Sequence, residues 1–142
     1  MPTATSFESG QDIIRNYFTA NWSSTPSSAL LYILENDKFD GSDPNVDYME
    51  FCVRENDSIQ VTCGPTARYR VLGTVVGIIR GRIDDGAGKV RGYADSLANL
   101  FRNLLLDNIS FHAPKIIPVG RDETHYRVNV IIPFKYDFVA TR

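Results

Sequence analysis

Residues 69–83, YRVLGTVVGIIRGRI, decide the fold of this chain. In an extended strand, successive side chains point to opposite faces, so the stretch divides into two sets. One set includes Val71 and Val75, and the other includes Val76 and Ile78. Both sets are apolar in the middle of the stretch, which predicts a long strand that is covered on both of its faces.

Glycine recurs at every fourth position of one face of this strand, at Gly73, Gly77 and Gly81. Glycine normally weakens a strand, so its repetition indicates that another backbone approaches closely there. The helix that follows in sequence is one source of such an approach. Bulges in a long, twisted strand are the alternative, and the sequence does not separate the two.

Residues 89–106 follow after a short loop and predict an amphipathic helix. Their apolar positions recur at spacings of three and four, the period of a helix with one buried face. These positions are Val90, Tyr93, Leu97, Leu100, Phe101, Leu104 and Leu105. A first helix is predicted over residues 7–22, with Ser6 or Ser9 as its N-cap.

Other apolar runs predict the remaining strands. Residues 29–34 form a short run between turn residues, and residues 109–119 are irregular or extended. Residues 48–54 and 58–62 flank a polar stretch, which predicts a hairpin with its turn at 55–57. Residues 125–138 alternate throughout. Pro133 lacks the N–H that a ladder needs, which favours an edge position for this last strand.

The order of helix, strands, helix and strands predicts an α+β fold, in which a mostly antiparallel sheet packs with two main helices. The chain has 142 residues, 43% of them hydrophobic, which suits a single domain over residues 1–142. No apolar stretch approaches the roughly 20 residues of a membrane span. Residues 1–10 are polar and do not have the pattern of a signal peptide.

The formal net charge is -2, so the composition provides no general basic field for nucleic acid. A duplex-binding role would need a local patch that overcomes this balance. The basic residues that frame the long strand and the start of the second helix are Arg68, Arg70, Arg80, Arg82, Lys89 and Arg91. A nucleic-acid surface would interleave them with exposed aromatics, but Tyr69 and Tyr93 fall on predicted core faces. Salt bridges to another subunit or partner favour arginine, so these residues are candidate interface residues, with solvated charge as the alternative.

No constellation of residues predicts an enzyme, a metal site or a cofactor site. The loop 84–89, DDGAGK, joins a strand to a helix as a phosphate-binding loop does. Ile83, however, stands where that motif has its first glycine, and Val90 stands where it has Ser or Thr. The aspartates at 37, 40 and 43 lack the closing glutamate of a calcium loop. His112 and His125 have no partners at metal-ligand spacing.

The two cysteines, Cys52 and Cys63, are too few for a disulfide framework. Both fall in strand-like runs, which predicts buried free thiols, with a disulfide between them as the alternative. A nucleophilic cysteine would need a base held beside it, and nothing in the sequence selects either histidine for that role.

Five motifs follow one another along the chain. They are IIRNYFTANWSSTP at 13–26, MEFCVR at 49–54, ADSLANLF at 94–101, ISFHAP at 109–114 and VIIPFKY at 130–136. In this order they resemble the tail terminator family of long-tailed, siphovirus-like bacteriophages, over most of the chain. The chain departs from the family at residues 29–34, where the family more often has a polar residue soon after the proline.

The resemblance implies an α+β protomer that assembles as a homohexameric ring. The ring would cap the last ring of the tail tube, stop tube polymerisation and offer a surface for head–tail joining. The implied partners are further copies of the chain, the tail tube protein, a head–tail connector or stopper protein, and the tape measure protein. DNA would pass through the lumen without specific binding. The implied location is the neck end of the virion tail, after assembly in the host cytoplasm.

Within such a ring, the loop 84–89 is expected to contact the ring face or the lumen. This expectation adds Asp84 and Asp85 to the candidate interface residues. Two alternatives stay open. The first is another virion connector, a head–tail stopper or adaptor, which differs from a terminator in leaving tail length normal when it is removed. The second is a small monomeric enzyme, which a stable monomer with a deep polar pocket would favour.

Overall fold

The computed structural model describes residues 3–35, 46–83 and 87–141. Within them lie two α-helices, α1 (Phe7–Asn21) and α2 (Ala87–Phe101), and a 3-10 helix at Trp22–Ser24. The strands are β1 (Leu31–Leu34), β2 (Tyr48–Gln60), β3 (Thr66–Arg82), β4 (Leu105–Leu106), β5 (Ile109–Phe111), β6 (Lys115–Arg121) and β7 (His125–Thr141). The predicted fold class, α+β with two main helices, is confirmed.

The strands form one sheet in the order β1-β2-β3-β7-β5-β4, with β6 also paired to β7. β1 runs parallel to β2, and the other neighbours are antiparallel. β3 is the long strand predicted from its sequence. It lies between β2 and β7 and pairs with β7 over its whole length, from Thr66↔Thr141 to Arg82↔His125.

Both α-helices pack on the same face of the sheet, which we call the inner face. Phe18 of α1 stacks on Phe51 of β2, with ring centroids 4.0 Å apart. Leu97 of α2 lies against Gly77 of β3. The fully buried side chains of β3 and β7 on this face include Val75 and Ile132. The core therefore lies between the inner face and the two helices.

Close approach of neighbouring atoms accounts for all three glycines on this face of β3, and the nearby bulge lies in β2 and not in the long strand itself. A Cβ at Gly77 would lie 2.2 Å from Leu97 Cδ2, and one at Gly81 would lie 2.3 Å from Val90 Cγ2. The close approach of α2 therefore explains these two. At Gly73, a Cβ would lie 2.5 Å from the backbone oxygen of Arg54, beside the bulge in β2 between Glu55 and Asp57.

The helix boundaries are set by local chemistry at each end. Ser6 caps α1, and Ser6 with Ser9 forms a reciprocal capping box, so both candidate residues take part. The predicted extent of the second helix, 89–106, is wrong at its C-terminal end. Asn103 adopts a left-handed conformation, with φ 58°, shortly after α2 ends at Phe101. Leu104 and Leu106 still pack against the core from the extended chain, so the apolar spacing continues past the helix.

The predicted hairpin over residues 48–62 is also wrong. β2 is one continuous strand of 13 residues, and it turns back into β3 at residues 61–65. The polar residues 55–57 carry a bulge and not a turn. This end of β2 is mostly exposed, so its polarity reports contact with solvent and not a reversal of the chain.

Pro133 lies in an interior strand, so the predicted edge position of β7 is wrong. β7 has β3 on one side and β5 and β6 on the other. The carbonyl of Pro133 accepts a hydrogen bond from His112 N at 2.8 Å. Because the N and C=O of one strand residue point to the same side, the proline nitrogen faces the gap between β5 and β6. No ladder bond is therefore lost.

The cysteines occupy different environments. Cys52 is a buried free thiol on β2, as predicted. Cys63 is free but exposed, because it lies in the turn between β2 and β3 and not in a strand.

Candidate assembly surface

The second face of the sheet carries neither α1 nor α2. It consists of the side chains that alternate with the inner-face residues along the seven strands of the sheet. Residues directly opposite each other in paired strands share a face, so the register defines its members. Val76 of β3, for example, lies opposite Cys52 of β2 and Ile131 of β7. We call this surface the basic face, for the charges described below.

The middle of the basic face is apolar and half-exposed. Leu72, Val76 and Ile78 of β3 are each only partly buried, as is Ile131. Five of the eight exposed large hydrophobic side chains of the described chain also lie on this face: Leu31 (46% exposed), Ile59 (45%), Leu105 (65%), Ile117 (38%) and Val139 (58%). Residues 7–22 do not cover this face of β3, because α1 and α2 both lie on the inner face. Cover of the second face by a neighbouring subunit stays a prediction.

The basic face has a charge opposite in sign to that of the whole chain. Its described residues include eight basic and three acidic side chains, a net charge of +5 in a chain of net charge -2. The basic ones are Arg54, Arg68, Arg70, Arg80, Arg82, Lys115, Arg127 and Lys135, and the acidic ones are Glu50, Asp57 and Asp137. The pairing of the strands thus brings basic residues together in a local patch that the net charge of the chain does not indicate.

Two arginines of the candidate set are held by carboxylates within the subunit. Arg70 Nε and Nη2 donate to the two carboxylate oxygens of Asp137 at 2.9 and 3.1 Å. This bidentate hydrogen bonding lowers the pKa of Asp137. Arg80 pairs with Glu50 and lies 5.2 Å from the ring centroid of Tyr48. Arg70 and Arg80 therefore hold neighbouring side chains of the basic face in place through contacts within the subunit.

The carboxylate of Asp47 contacts three groups near the end of β3 and the start of α2: a backbone N–H, an ammonium and a hydroxyl. Its Oδ1 accepts the backbone N–H of Arg82 at 2.9 Å. Its Oδ2 lies 3.3 Å from Lys89 Nζ and accepts from the hydroxyl of Tyr93 at 3.2 Å. The hydrogen bond to Asp47 raises the pKa of Lys89. Lys89 therefore fastens α2 to the sheet and is separated from the arginines of the basic face.

The predicted interface set is divided by the fold. Arg68, Arg70, Arg80 and Arg82 share the basic face, whereas Lys89 and Arg91 lie on α2, on the other side of the sheet. Arg91 lines a groove with Asp95, Ile116, Pro118, Tyr126 and Val128. Asp84 and Asp85, like the aspartates at 37, 40 and 43, lie outside the described residues.

Sequence reasoning missed four basic residues of this face, namely Arg54, Lys115, Arg127 and Lys135. The alternation in β7 places Arg127 and Lys135 opposite to the apolar set, so the sequence predicts that their side chains point away from the core. Their position beside the arginines of β3 was not, because it depends on the register Lys135↔Leu72 and Arg127↔Arg80.

Other chemistry is sparse in the described parts of the chain. Within residues 3–35, 46–83 and 87–141, no three His, Cys, Asp or Glu side chains are arranged to hold a metal ion. His125 is buried, with Nε2 2.9 Å from the carbonyl oxygen of Val46 and Nδ1 3.0 Å from Thr124 Oγ1. Neither α1 nor α2, the α-helices of this part of the chain, has the length and hydropathy to cross a membrane.

Comparisons with known proteins support the fold alone. No protein-family model matches the chain, and no curated protein matches it in sequence. The chain is similar to a solved structure of a protein whose name states no function. The TM-score is 0.53 at 21% sequence identity, over 93% of this chain and 96% of that chain. At this identity the likeness establishes a shared fold and does not bear on function.

Proposed function

We propose that this protein is a phage virion structural protein that caps the tail tube, stops its polymerisation and forms the interface for head–tail joining. The observation that carries the proposal is the basic face. It is a broad sheet surface with half-exposed aliphatic side chains in its middle and arginines around them. The ordered motifs that resemble the tail terminator family supply the specific role.

The composition of the basic face suits a contact with protein better than one with nucleic acid. Six of its eight basic residues are arginines, which are enriched in protein interfaces where lysine is depleted. Single-strand binding would call for exposed aromatic rings between the charges. Tyr48, the aromatic residue of β2 on this face, is buried against His125.

A growing tube exposes an end that binds another copy of the tube protein, so a terminator must bind that end without recreating it. Ring closure by head-to-tail contacts uses two different surfaces on each subunit. The basic face is one such surface. Capping a tube requires neither a reacting group nor a cofactor. In this role the protein would act through its surfaces and not as an enzyme.

The test is electron microscopy of tails assembled with and without this protein, together with images of the purified protein added to tail tubes. Overlong tubes in its absence, and a cap on one end of each tube in its presence, are the expected results. Tails of normal length that fail to join heads would assign the protein to the stopper or adaptor class. Normal tails that join heads normally would refute a role in the tail.

A variant separates the surface from the fold. Arg54→Glu with Lys135→Glu reverses two exposed charges of the basic face for which no described salt bridge exists. We expect this protein to fold and to lose capping. Arg80→Glu is less suitable, because it would place a carboxylate beside Glu50, the present partner of Arg80.

A further inference from the structure

We propose that Arg127 and Asn129, two neighbours on the basic face, form a binding site for one carboxylate side chain of the next copy in the ring. The inference rests on the ring-forming role proposed above, and it names the chemical group that this part of the face binds. It follows from polar atoms of β7 that the subunit leaves without partners, and from the carboxylates that the comparable arginines of the face already have.

Three of the eight basic side chains on the basic face are partly buried, and they differ in what compensates their charge. Arg70 has the carboxylate of Asp137, and Arg80 has that of Glu50. Arg127, the third, forms no salt bridge or hydrogen bond through its side chain within the described chain. Removing a cation from water is unfavourable unless a counter-charge accompanies it. By comparison with the other two arginines, the group that Arg127 lacks is a carboxylate.

Two side-chain atoms at this point of the sheet are enclosed by protein and have no hydrogen-bond partner in the described chain. They are Nε of Arg127 and Oδ1 of Asn129. Most buried polar atoms in folded proteins are paired, so each exception calls for a physical cause. The two residues are two positions apart on β7, so their side chains are neighbours on one face. One atom is a donor and the other an acceptor, and a small rearrangement that joined them would satisfy both.

The remaining nitrogen atoms of the two side chains reach the surface. The two Nη atoms of Arg127 and Nδ2 of Asn129 are not among the enclosed unpaired atoms, and none of them has a described partner, so all three are open to solvent. They present N–H donors and no acceptor, which is the arrangement that a carboxylate binds. A carboxylate held by the Nη atoms would orient the guanidinium so that Nε donates to Oδ1 of Asn129.

The surroundings of the site favour an added negative charge. Arg127 lies directly opposite Arg80 of β3, so two like charges meet across the strands, which is unfavourable. Glu50 compensates only Arg80. Asn129 has isoleucines opposite it in both neighbouring strands. Apolar side chains that exclude water around an ion pair strengthen its attraction, so a carboxylate bound here would contribute more than one bound at a fully exposed arginine.

Another copy of the chain can supply the carboxylate. The described residues off the basic face number nine acidic and five basic, a net charge of -4, so the surfaces that a neighbour presents are acidic on balance. Contact of the basic face with itself would bring like charges together. A ring closed by head-to-tail contacts instead brings a different surface of the neighbour to the basic face. The proposal fixes the chemistry of the bound group, and crosslinking identifies which acid of the neighbour provides it.

Carbodiimide crosslinking captures the bound group. Arg127→Lys keeps the positive charge and places a primary amine at position 127, which a carbodiimide joins to a contacting carboxylate as an amide, the reagent taking up the water that is lost. Equal amounts of unlabelled and isotope-labelled variant are mixed, bound to tail tubes, crosslinked and analysed by mass spectrometry. We expect a crosslink from position 127 of one copy to an Asp or Glu of a copy with the other label.

Three substitutions to methionine separate binding from folding. Arg127→Met removes a charge that has no counter-charge within the subunit, so the urea midpoint of the dilute protein should stay level or rise. Arg80→Met leaves the carboxylate of Glu50 unpaired, so its midpoint should fall. Association is measured by sedimentation velocity of the protein alone and by co-sedimentation with tail tubes. It should weaken about tenfold in Arg127→Met, whereas Arg102→Met, which removes an exposed arginine beside α2, should leave it unchanged.

Three results would overturn the site. The first is a crosslink from position 127 to a different protein, the absence of any crosslink, or a wild-type chain that associates neither alone nor on tubes. The second is a lower urea midpoint for Arg127→Met with unchanged association, which would make Arg127 a structural residue of the subunit. The third is wild-type binding to a short DNA duplex that Arg127→Met loses, which would make this a phosphate site. A crosslink between copies, combined with tails of normal length in the absence of the protein, would keep the site and refute the tail role instead.

Discussion

Gly73→Ala is expected to destabilise the protein, although the same substitution at Gly92 should stabilise it. The backbone at Gly73 is extended, so alanine can adopt its conformation, but the added Cβ would lie 2.5 Å from the carbonyl oxygen of Arg54 and 2.5 Å from Phe134 Cζ. An ordinary contact needs about 3.5 Å or more. Either the bulged backbone of β2 or the buried ring must therefore move by about 1 Å.

The expected magnitude follows from two opposing terms. Overpacking a close-packed core costs about 1–3 kcal/mol, and the upper part of this range applies where a backbone atom blocks the site. Replacing glycine by alanine lowers the entropy of the unfolded chain, a gain of about 0.4–1 kcal/mol. The net loss for Gly73→Ala is about 1–2 kcal/mol. At Gly92, exposed on α2 with no atom within 4 Å of the added Cβ, helix propensity alone predicts a gain of about 0.5–1 kcal/mol.

Urea denaturation followed by far-ultraviolet circular dichroism measures both variants under one set of conditions. The difference of about 1.5–3 kcal/mol between them should appear as a clear separation of midpoints at similar m-values. Gly77→Ala should lie between them, because the obstacle there is a Leu97 methyl group that can rotate. If Gly73→Ala were as stable as Gly92→Ala, the explanation of the glycine face by close approach would be wrong.

Three further outcomes are expected. The carboxylate of Asp122 accepts the N–H groups of Thr124 and His125, which lowers its pKa from 3.8 to about 2. Since the folded pKa lies below the unfolded one, this stabilisation is present above about pH 4 and is lost as the pH falls toward 2. Wild type and Asp122→Asn, whose urea midpoints differ at pH 5, should therefore converge near pH 2. Asp47→Ala leaves the N–H of Arg82 without its acceptor and should cost about 1–2 kcal/mol in urea denaturation, whereas exposed Asp95→Ala should change stability by less than about 0.5 kcal/mol. A thiol reagent should modify Cys63 in the native protein and reach the buried Cys52 only after unfolding, and equal native reactivity of the two would contradict the fold.

Local pattern was sufficient for most elements of the fold. The alternation of residues 69–83 identified β3, the period of residues 89–106 identified α2 although not its end, and the choice of Ser6 or Ser9 as N-cap marked the start of α1. These features depend on contacts within one turn or one strand, so residues that are close in sequence determine them. The same locality produced the errors. Polar residues 55–57 resemble a turn, and Pro133 resembles an edge residue, unless the neighbouring strands are known.

The proposed assembly surface shows what only the tertiary structure decided. The sequence determined that Arg70 and Arg80 point to one face of β3, because side chains alternate along a strand. It also determined that Lys135 points away from the apolar set of β7. The register of the sheet alone placed Lys135 and Arg54 on the same face as these arginines, and the packing of both helices on the inner face left that surface half-exposed. Pairing between strands and the choice of a covered face are long-range properties, so a chain with a net charge of -2 could contain a face of +5 that its composition does not reveal.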